Sequence, residues 1–211
     1  MADHLTQESM SDQELLEAFA TAPTAIISDN LDRLPGMVGL RPFHGSGRQL
    51  VGRALTVRVA PGDNFFAHKA LDIAGPNDAI IIDASGATDR AIIGGIMLEI
   101  GKSRQIAGFV VDGAIRDVRE IFAGNLPCYA RGCIHRGPYK NGPGTLNAPI
   151  TVGGQVVLPG DIVVGDEDGV LSFPRAGAEA LLDRVRAQER KEEEIIASIR
   201  AGTYTNSYAK S

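Results

Sequence analysis

Residues 94–124 read GGIMLEIGKSRQIAGFVVDGAIRDVREIFAG. Ile96–Gln105 keeps helical spacing, Gly108–Val111 is a short apolar run closed by Asp112-Gly113, and Arg116–Ile121 resumes helical spacing. An apolar run of this length between turn signals predicts a strand buried on both faces. The same unit occurs upstream. Phe65–Ile73 is helix-like, and Asn77-Asp78 leads into Ala79–Ile82, which ends at Asp83-Ala84-Ser85-Gly86. Two successive helix-then-buried-strand units imply an α/β fold, a sheet covered by helices with functional loops at the carboxyl ends of its strands.

On the amino-terminal side, Leu50–Val59 has strand character, and residues 35–49 read as a long Gly- and Pro-containing loop. Ser11 and Glu14 form a capping box ahead of the apolar face Leu15, Leu16 and Phe19. Pro23 ends that N-terminal helix, and Thr24–Leu31 forms another short one. On the carboxyl-terminal side, Cys128–Arg131 predicts a short strand, followed by a Gly/Pro loop carrying His135, Arg136 and Lys140. Ile150–Val152, Gln155–Leu158, Asp161–Val164 and Val170–Phe173 are separated by turn signals and predict a small antiparallel β layer. Residues 177–200 predict the longest helix. Its apolar faces, Leu181/Leu182/Val185 and Ile195/Ile196/Ile199, flank a polar stretch, Arg186–Glu194. Such a helix either reaches a neighbouring subunit or runs solvated beyond its own fold. The connections are too short for a second core, so residues 1–211 are expected to form one domain, with residues 1–23 as its N-terminal helix.

Composition narrows the function classes. The chain has 211 residues, 21 Lys plus Arg against 26 Asp plus Glu, a net charge of -5 and no Trp. An acidic chain without basic blocks or stacking aromatics argues against nucleic acid as a partner. No apolar run is long enough for a membrane span, and the first twenty residues lack the pattern of a secretory signal. Cys128 and Cys133 are spaced for neither a disulfide nor a zinc site, so a reduced, cytoplasmic protein is expected. Gly101-Lys102-Ser103 lacks the glycine that a phosphate loop needs at position 96, where Ile96 stands. No dinucleotide fingerprint, GxSxG or HExxH is present either, and the chain offers no glycine loop for a methyltransferase cofactor.

The chemistry is expected at Arg116-Asp117. An arginine beside the free N–H groups of a helix start makes an anion pocket able to clamp a carboxylate in bidentate fashion. Asp117 next to it can bind a divalent cation directly or through water; the plainer reading is a salt bridge at a helix start. Gly94-Gly95, ahead of a helix, is a second exposed-amide site. His135, Arg136 and Lys140 either widen a positive rim or merely solubilise their loop, and Lys102 and Lys140 read as surface or carboxylate-binding charges. Asp161, Asp166, Glu167 and Asp168 look like turn carboxylates, with metal binding the lesser reading.

Residues 94–124, YARGCIHRGPYKNGPGTLNAPITVGG (129–154) and PGDIVVGDEDGVLSFPR (159–175) together resemble the family of RraA-like proteins and class II 4-hydroxy-4-methyl-2-oxoglutarate/4-carboxy-4-hydroxy-2-oxoadipate aldolases. The resemblance runs from about residue 24 to 200. It implies a compact swivelling β/β/α-type fold, and trimers or paired trimers with active sites between subunits. It assigns Arg116 to the pyruvyl carboxylate, Asp117 to Mg2+ or Mn2+, and the Ile96 and Met97 amides, beside Gly94 and Gly95, to the pyruvyl group. It also implies a metal-shell glutamate from a neighbour's C-terminal helix, among Glu189, Glu192 and Glu193. Gly95 departs from the acidic residue usual in the aldolases. Either another carboxylate replaces it, with Asp83 and Asp112 as candidates, or the substrate range and rate differ; Asp112 could equally cap its turn. The implied activity is metal-dependent cleavage of small 2-oxo di- or tricarboxylates to pyruvate, with oxaloacetate decarboxylation through the same enolate. The alternatives are a lyase for a different 2-oxo acid, or a non-catalytic regulator that binds an RNA-processing enzyme.

Overall fold

The computed structural model describes residues 10–33 and 36–206. Its elements run α1 (Asp12–Phe19), α2 (Thr24–Asp29), β1 (Arg41–Pro42), β2 (Leu50–Val59), α3 (Phe65–Ile73), β3 (Asp78–Asp83), β4 (Ala91–Ile93), α4 (Gly95–Ser103), β5 (Gly108–Ile115) and α5 (Val118–Gly124). They continue with β6 (Cys128–Cys133), β7 (Gly144–Leu146), β8 (Ile150–Val152), β9 (Gln155–Val157), β10 (Ile162–Gly165), β11 (Val170–Phe173) and α6 (Ala178–Arg200). The large sheet has the order β1-β6-β5-β3-β2-β10-β11, with β4 added to β5 and β7 to β2. Its centre, β2-β3-β5-β6, is parallel. The antiparallel strands β10 and β11 extend one side and β1 the other.

Strand alternation sorts side chains into separate cores. Ile80 and Ile82 of β3 face α3, α4 and α5 together with Val57, Phe109, Val111 and Leu98. Ala79 and Ile81 face the opposite way, meeting Val110, Tyr129, Ile150 and Val152 beneath the β8–β9 hairpin. A third core joins α1, α2 and α6 to β10 and β11 through Leu15, Phe19, Ile27, Leu181 and Phe173. Both faces of the parallel strands are therefore buried, which is why they read as continuous apolar runs.

The capping box closes as the sequence predicts. The Glu14 N–H donates to Ser11 Oγ, and the Ser11 N–H donates to the Glu14 carboxylate. The part of the expected N-terminal helix that falls on residues 1–9 lies outside the described residues. Two expectations need correction. The predicted antiparallel layer is only β8–β9, because β10 pairs with β2 and carries β11 into the large sheet. Asp112-Gly113 does not close β5, which continues to Ile115. Gly113 permits this, since a Cβ there would stand 3.0 Å from both the Ala84 side chain and the Ala87 carbonyl. The extension pairs with β4, a strand of three residues too short to show in the sequence, and carries Arg116 beyond the end of β3.

Candidate active site

The β5 extension and the start of α4 meet at the site. Arg116 donates its backbone N–H to the Ile93 carbonyl at 3.0 Å, which holds the end of β5 beside the end of β4. The expected place of Arg116 in a first helical turn is corrected: α5 starts at Val118, and Asp117 is its N-cap. Asp117 lies in the left-handed region at φ 58°, ψ 41°, a conformation that a short polar side chain tolerates. Its carboxylate does not cap α5. It turns to α4 and accepts the Gly95 N–H through Oδ2 at 2.9 Å, with Arg116 Nε 3.6 Å from the same oxygen. Both side chains remain 42% exposed, accessible to a ligand.

Gly94 precedes α4 with extended backbone and no side chain to cap it. The first-turn N–H groups of Ile96 and Met97 have no intrahelical carbonyl within reach. A Cβ on Gly94 would lie 2.5 Å from Asp117 Oδ2 and 3.0 Å from Arg116 Cγ, so the close approach requires glycine. A Cβ on Gly95 would meet Asp117 Oδ2 at 3.6 Å and Glu120 Cβ at 3.7 Å, ordinary contacts. The absence of a side chain at position 95 is thus a chemical difference, not a packing requirement.

These residues line a cavity of about 80 Å³. Gly94, Ile96 and Met97 come from α4 and its entry, Ile92 and Ile93 from β4, and Arg116 and Asp117 from the β5–α5 junction. Asn64 and His68 come from α3 and its N-cap, and Pro138 and Lys140 from the loop after β6. Two open grooves adjoin it. One contains Arg116, Asp117, Cys133 and His135. The other contains Gly95, Ile96, Glu99 and Glu120.

The loop bearing Lys140 is pinned down. Tyr139 exchanges backbone hydrogen bonds with Gly62 and Asn64, and Arg90 donates to the Gly137 carbonyl and the Tyr139 hydroxyl while stacking on the Tyr139 ring. Asp63 accepts the Asn141 and Gly142 N–H groups through Oδ2 and the Phe65 N–H through Oδ1. Burial pushes the Asp63 carboxyl up, but these three donors together outweigh it and hold it below the ordinary carboxylate range. Burial, then the Lys140 charge, lowers His68, with Asp72 opposing. His68 is therefore neutral at pH 7.

Of the residues singled out in the sequence, Gly94, Ile96, Met97, Arg116 and Asp117 share the cavity, and Gly95 bonds to Asp117 beside it. Asp83 and Asp112 do not line it. Asp83 pairs with Arg58 and accepts the Ser85 N–H; Asp112 pairs with Arg131 and accepts the Gly153 N–H. Within its own chain, neither is among the nearest neighbours of Gly95, which are Asp117 and Glu120. Glu189, Glu192 and Glu193 lie on α6, whose inner turns pack on α1 and α2, and none lines the cavity of its own chain. Asn64, His68 and Glu120 are not among the site residues that the sequence singles out. Their signals are spacings: Asn64 and His68 are four apart on one helix face, and Glu120 follows Asp117 by three. Among the described residues no three His, Cys, Asp or Glu side chains converge as a metal cluster, and no helix is long and apolar enough to cross a membrane.

The site is a cation-lined cavity at the carboxyl end of parallel strands, beside an open helix N-terminus, on an α/β scaffold. The chain belongs to the RraA-like family, described as Aldolase/RraA, which matches residues 24–172. A Halalkalibacterium halodurans relative, provisionally named 4-hydroxy-4-methyl-2-oxoglutarate aldolase, is 42% identical over 186 residues, covering 88% of each chain. An uncharacterized Pseudomonas syringae protein superposes with a TM-score of 0.84 at 27% identity, over 97% of this chain and 96% of that one. Streptomyces coelicolor RraAS2, called an unusual member of the RNase ES inhibitor RraA family, gives 0.79 at 26% identity, over 88% of this chain and 96% of its own.

Two outcomes follow from this geometry. Gly94→Ala should speed hydrogen exchange of the Gly95 amide about tenfold or more by disrupting its charge-assisted bond, while Gly95→Ala should leave the amide at position 95 within threefold. Asp63→Asn keeps one acceptor oxygen where two are used and should cost about 1.5–3 kcal/mol at pH 7. Because the carboxyl is lowered in the fold, its contribution is present above the unfolded value of about 3.9 and lost as pH falls through the folded value. Denaturant titrations of the variant should accordingly show a shallower loss of stability below pH 4 than the parent.

Proposed function

We propose that the protein is a divalent-metal-dependent class II pyruvate lyase that cleaves 2-oxo diacids of the 4-hydroxy-4-methyl-2-oxoglutarate type and decarboxylates oxaloacetate through the same enolate. The observation that carries this reading is the Arg116–Asp117 pair presented beside the open N-terminus of α4, at the wall of a cavity of about 80 Å³. That volume suits a pyruvyl group, with the remainder of a diacid extending toward Lys140 or the adjoining grooves. The aldolase name of the Halalkalibacterium relative supports the same reaction class.

The residues present fit Mg2+ or Mn2+. Asp117 Oδ2 is engaged by Gly95 and Arg116, which leaves Oδ1 for a cation or its water, and Glu120 stands one helical turn on, beside Gly95. One or two carboxylates with retained waters is an ordinary arrangement for Mg2+. When bound, the cation supplies Lewis acidity to the 2-oxo group. Arg116 clamps the carboxylate of the pyruvyl unit, and the Ile96 and Met97 N–H groups face its oxygens. Breaking the C3–C4 bond, with the C4 hydroxyl proton passing to water and C4 becoming a carbonyl, leaves the bond's electron pair as pyruvate enolate, which takes a proton at C3 to give pyruvate; loss of carbon dioxide from oxaloacetate leaves the same enolate. Arg116 lies where that negative charge develops, and Lys140 offers a cation to the distal carboxylate. No lysine is needed as a covalent carrier.

A homotrimer or pair of trimers with inter-subunit sites belongs to this reading. Ile96 beside the cavity is 75% exposed, and Ile196 and Ile199 on α6 are uncovered. One of Glu189, Glu192 and Glu193 would then approach the site of a neighbour. The likeness to RraAS2 supports a second reading, a protein-binding regulator of RNA processing, which would not require the Arg116–Asp117 pair.

Pyruvate release from oxaloacetate and from 4-hydroxy-4-methyl-2-oxoglutarate separates the two. With Mg2+ or Mn2+ the parent should turn over, EDTA should stop it, and Arg116→Ala should lower kcat/KM about 100-fold or more, the ~3 kcal/mol expected of an oriented charge at a developing oxyanion. Asp117→Ala should lose metal-stimulated turnover. Activity that survives both substitutions would exclude this site.

A further inference from the structure

Residues 134–143 join β6 to β7 without forming a helix or strand, yet they supply one wall of the cavity, Pro138 and Lys140. Gly137 of the same strap stands against Arg116, where a Cβ would lie 3.0 Å from Nη1. With no regular structure of its own, the strap takes its position from other segments. Asp63 holds it on one side. This carboxylate is 4% exposed, and its three partners are backbone N–H groups: Phe65 on Oδ1 at 2.8 Å, with Asn141 and Gly142 on Oδ2 at 2.9 and 2.8 Å. A buried carboxylate is costly unless it is hydrogen-bonded, so the bonds that make its burial tolerable also tie the strap to the entry of α3.

Arg90 holds the strap on the other side. Its Nη1 donates to the Gly137 carbonyl at 2.9 Å and its Nη2 to the Tyr139 hydroxyl at 3.0 Å, and its guanidinium carbon lies 4.2 Å from the centre of the Tyr139 ring. Lys140 therefore sits between two anchored neighbours, Tyr139 on Arg90 and Asn141 on Asp63. The anchoring opposes a definite force. Arg116 and Lys140 line the same cavity, and the Lys140 charge is felt across it at His68. Like charges repel, so a strap free to move would carry Lys140 away from Arg116 and out into water.

We propose that Asp63 and Arg90 are positioning residues that clasp the strap from two sides and hold Lys140 at a set separation from Arg116, so that the second carboxylate of a 2-oxo diacid meets a cation already in place. Neither residue lines the cavity, and both act through Lys140. This rests on the reading of the cavity as a 2-oxo acid site and adds the device that keeps its second cation there. A loop ordered before binding spares the ligand the cost of ordering it, whereas a loosened strap keeps the lysine and loses that advantage.

Calorimetry in the presence of Mn2+ compares 2-oxoglutarate with pyruvate, which lacks the second carboxylate. Asp63→Ala, Arg90→Gln and Lys140→Ala should each weaken 2-oxoglutarate binding about tenfold or more and pyruvate binding less than about threefold, the loss expected of one charge-assisted contact. In a Lys140→Ala background, Asp63→Ala or Arg90→Gln should weaken 2-oxoglutarate by less than about threefold further, because the residue they position is already gone. Arg90→Gln loosens the strap with Asp63 in place and carries the same comparison should Asp63→Ala fold poorly. Equal weakening of both ligands, or a full further loss in the Lys140→Ala background, would overturn the proposal, since the clasp would then support the fold alone. If pyruvate does not bind the parent, the 2-oxo acid reading fails and the proposal with it. If pyruvate binds and Lys140→Ala leaves 2-oxoglutarate unchanged, the proposal alone is overturned.

Discussion

The bond from the Gly95 N–H to Asp117 Oδ2 joins two segments 22 residues apart and sets the relation between the α4 N-terminus and the end of β5. For the carboxylate to reach it, Asp117 adopts a left-handed backbone and leaves α5 without a side-chain cap. For the two chains to approach this closely, Gly94 must lack a Cβ. With those conditions met, Arg116 lies beside Gly94 at the entry to α4 and the cavity has a charged wall. The local cost of a left-handed aspartate, on the order of 1–3 kcal/mol, is offset by packing in the core formed by α3, α4 and α5.

Much of the scaffold was legible because its signals are local. The Ser11/Glu14 capping box, the Phe65–Ile73 helix and the Leu50–Val59 strand rest on nearest-neighbour chemistry, and the structure places them at those residues. Non-local pairing was not legible. Ile162–Gly165 reads as one more hairpin strand, and only its register against Leu50–Arg53 places it in the large sheet. The extension of β5 past Asp112-Gly113 depends on Ala84 and Ala87, distant in sequence, and on the short β4.

The site divides in the same way. Arg116-Asp117 and Gly94–Met97 stand out because a charged pair after an apolar run and a glycine pair before a helix are local patterns. Asp83 and Asp112 drew attention for the same reason, as carboxylates ending strands, yet each already has an arginine partner, Arg58 or Arg131, that no local pattern reveals. Asn64 stands four residues before His68, but its unpaired Oδ1 exists only because Ile92, 28 residues away, captures the other half of the amide. Glu120 carried a spacing signal from Asp117, but its nearness to Gly95 needs α4 and α5 packed together.

In the proposed reaction a 2-oxo acid and a divalent cation meet at Arg116 and Asp117. Calorimetric titration of pyruvate into the protein with and without Mn2+, repeated with Asp117→Ala, addresses it without any assumption about turnover. One pyruvate should bind per chain, at least tenfold more tightly with Mn2+, and the variant should lose that enhancement. Pyruvate binding that is indifferent to Mn2+, or an enhancement that survives the loss of Asp117, would contradict it.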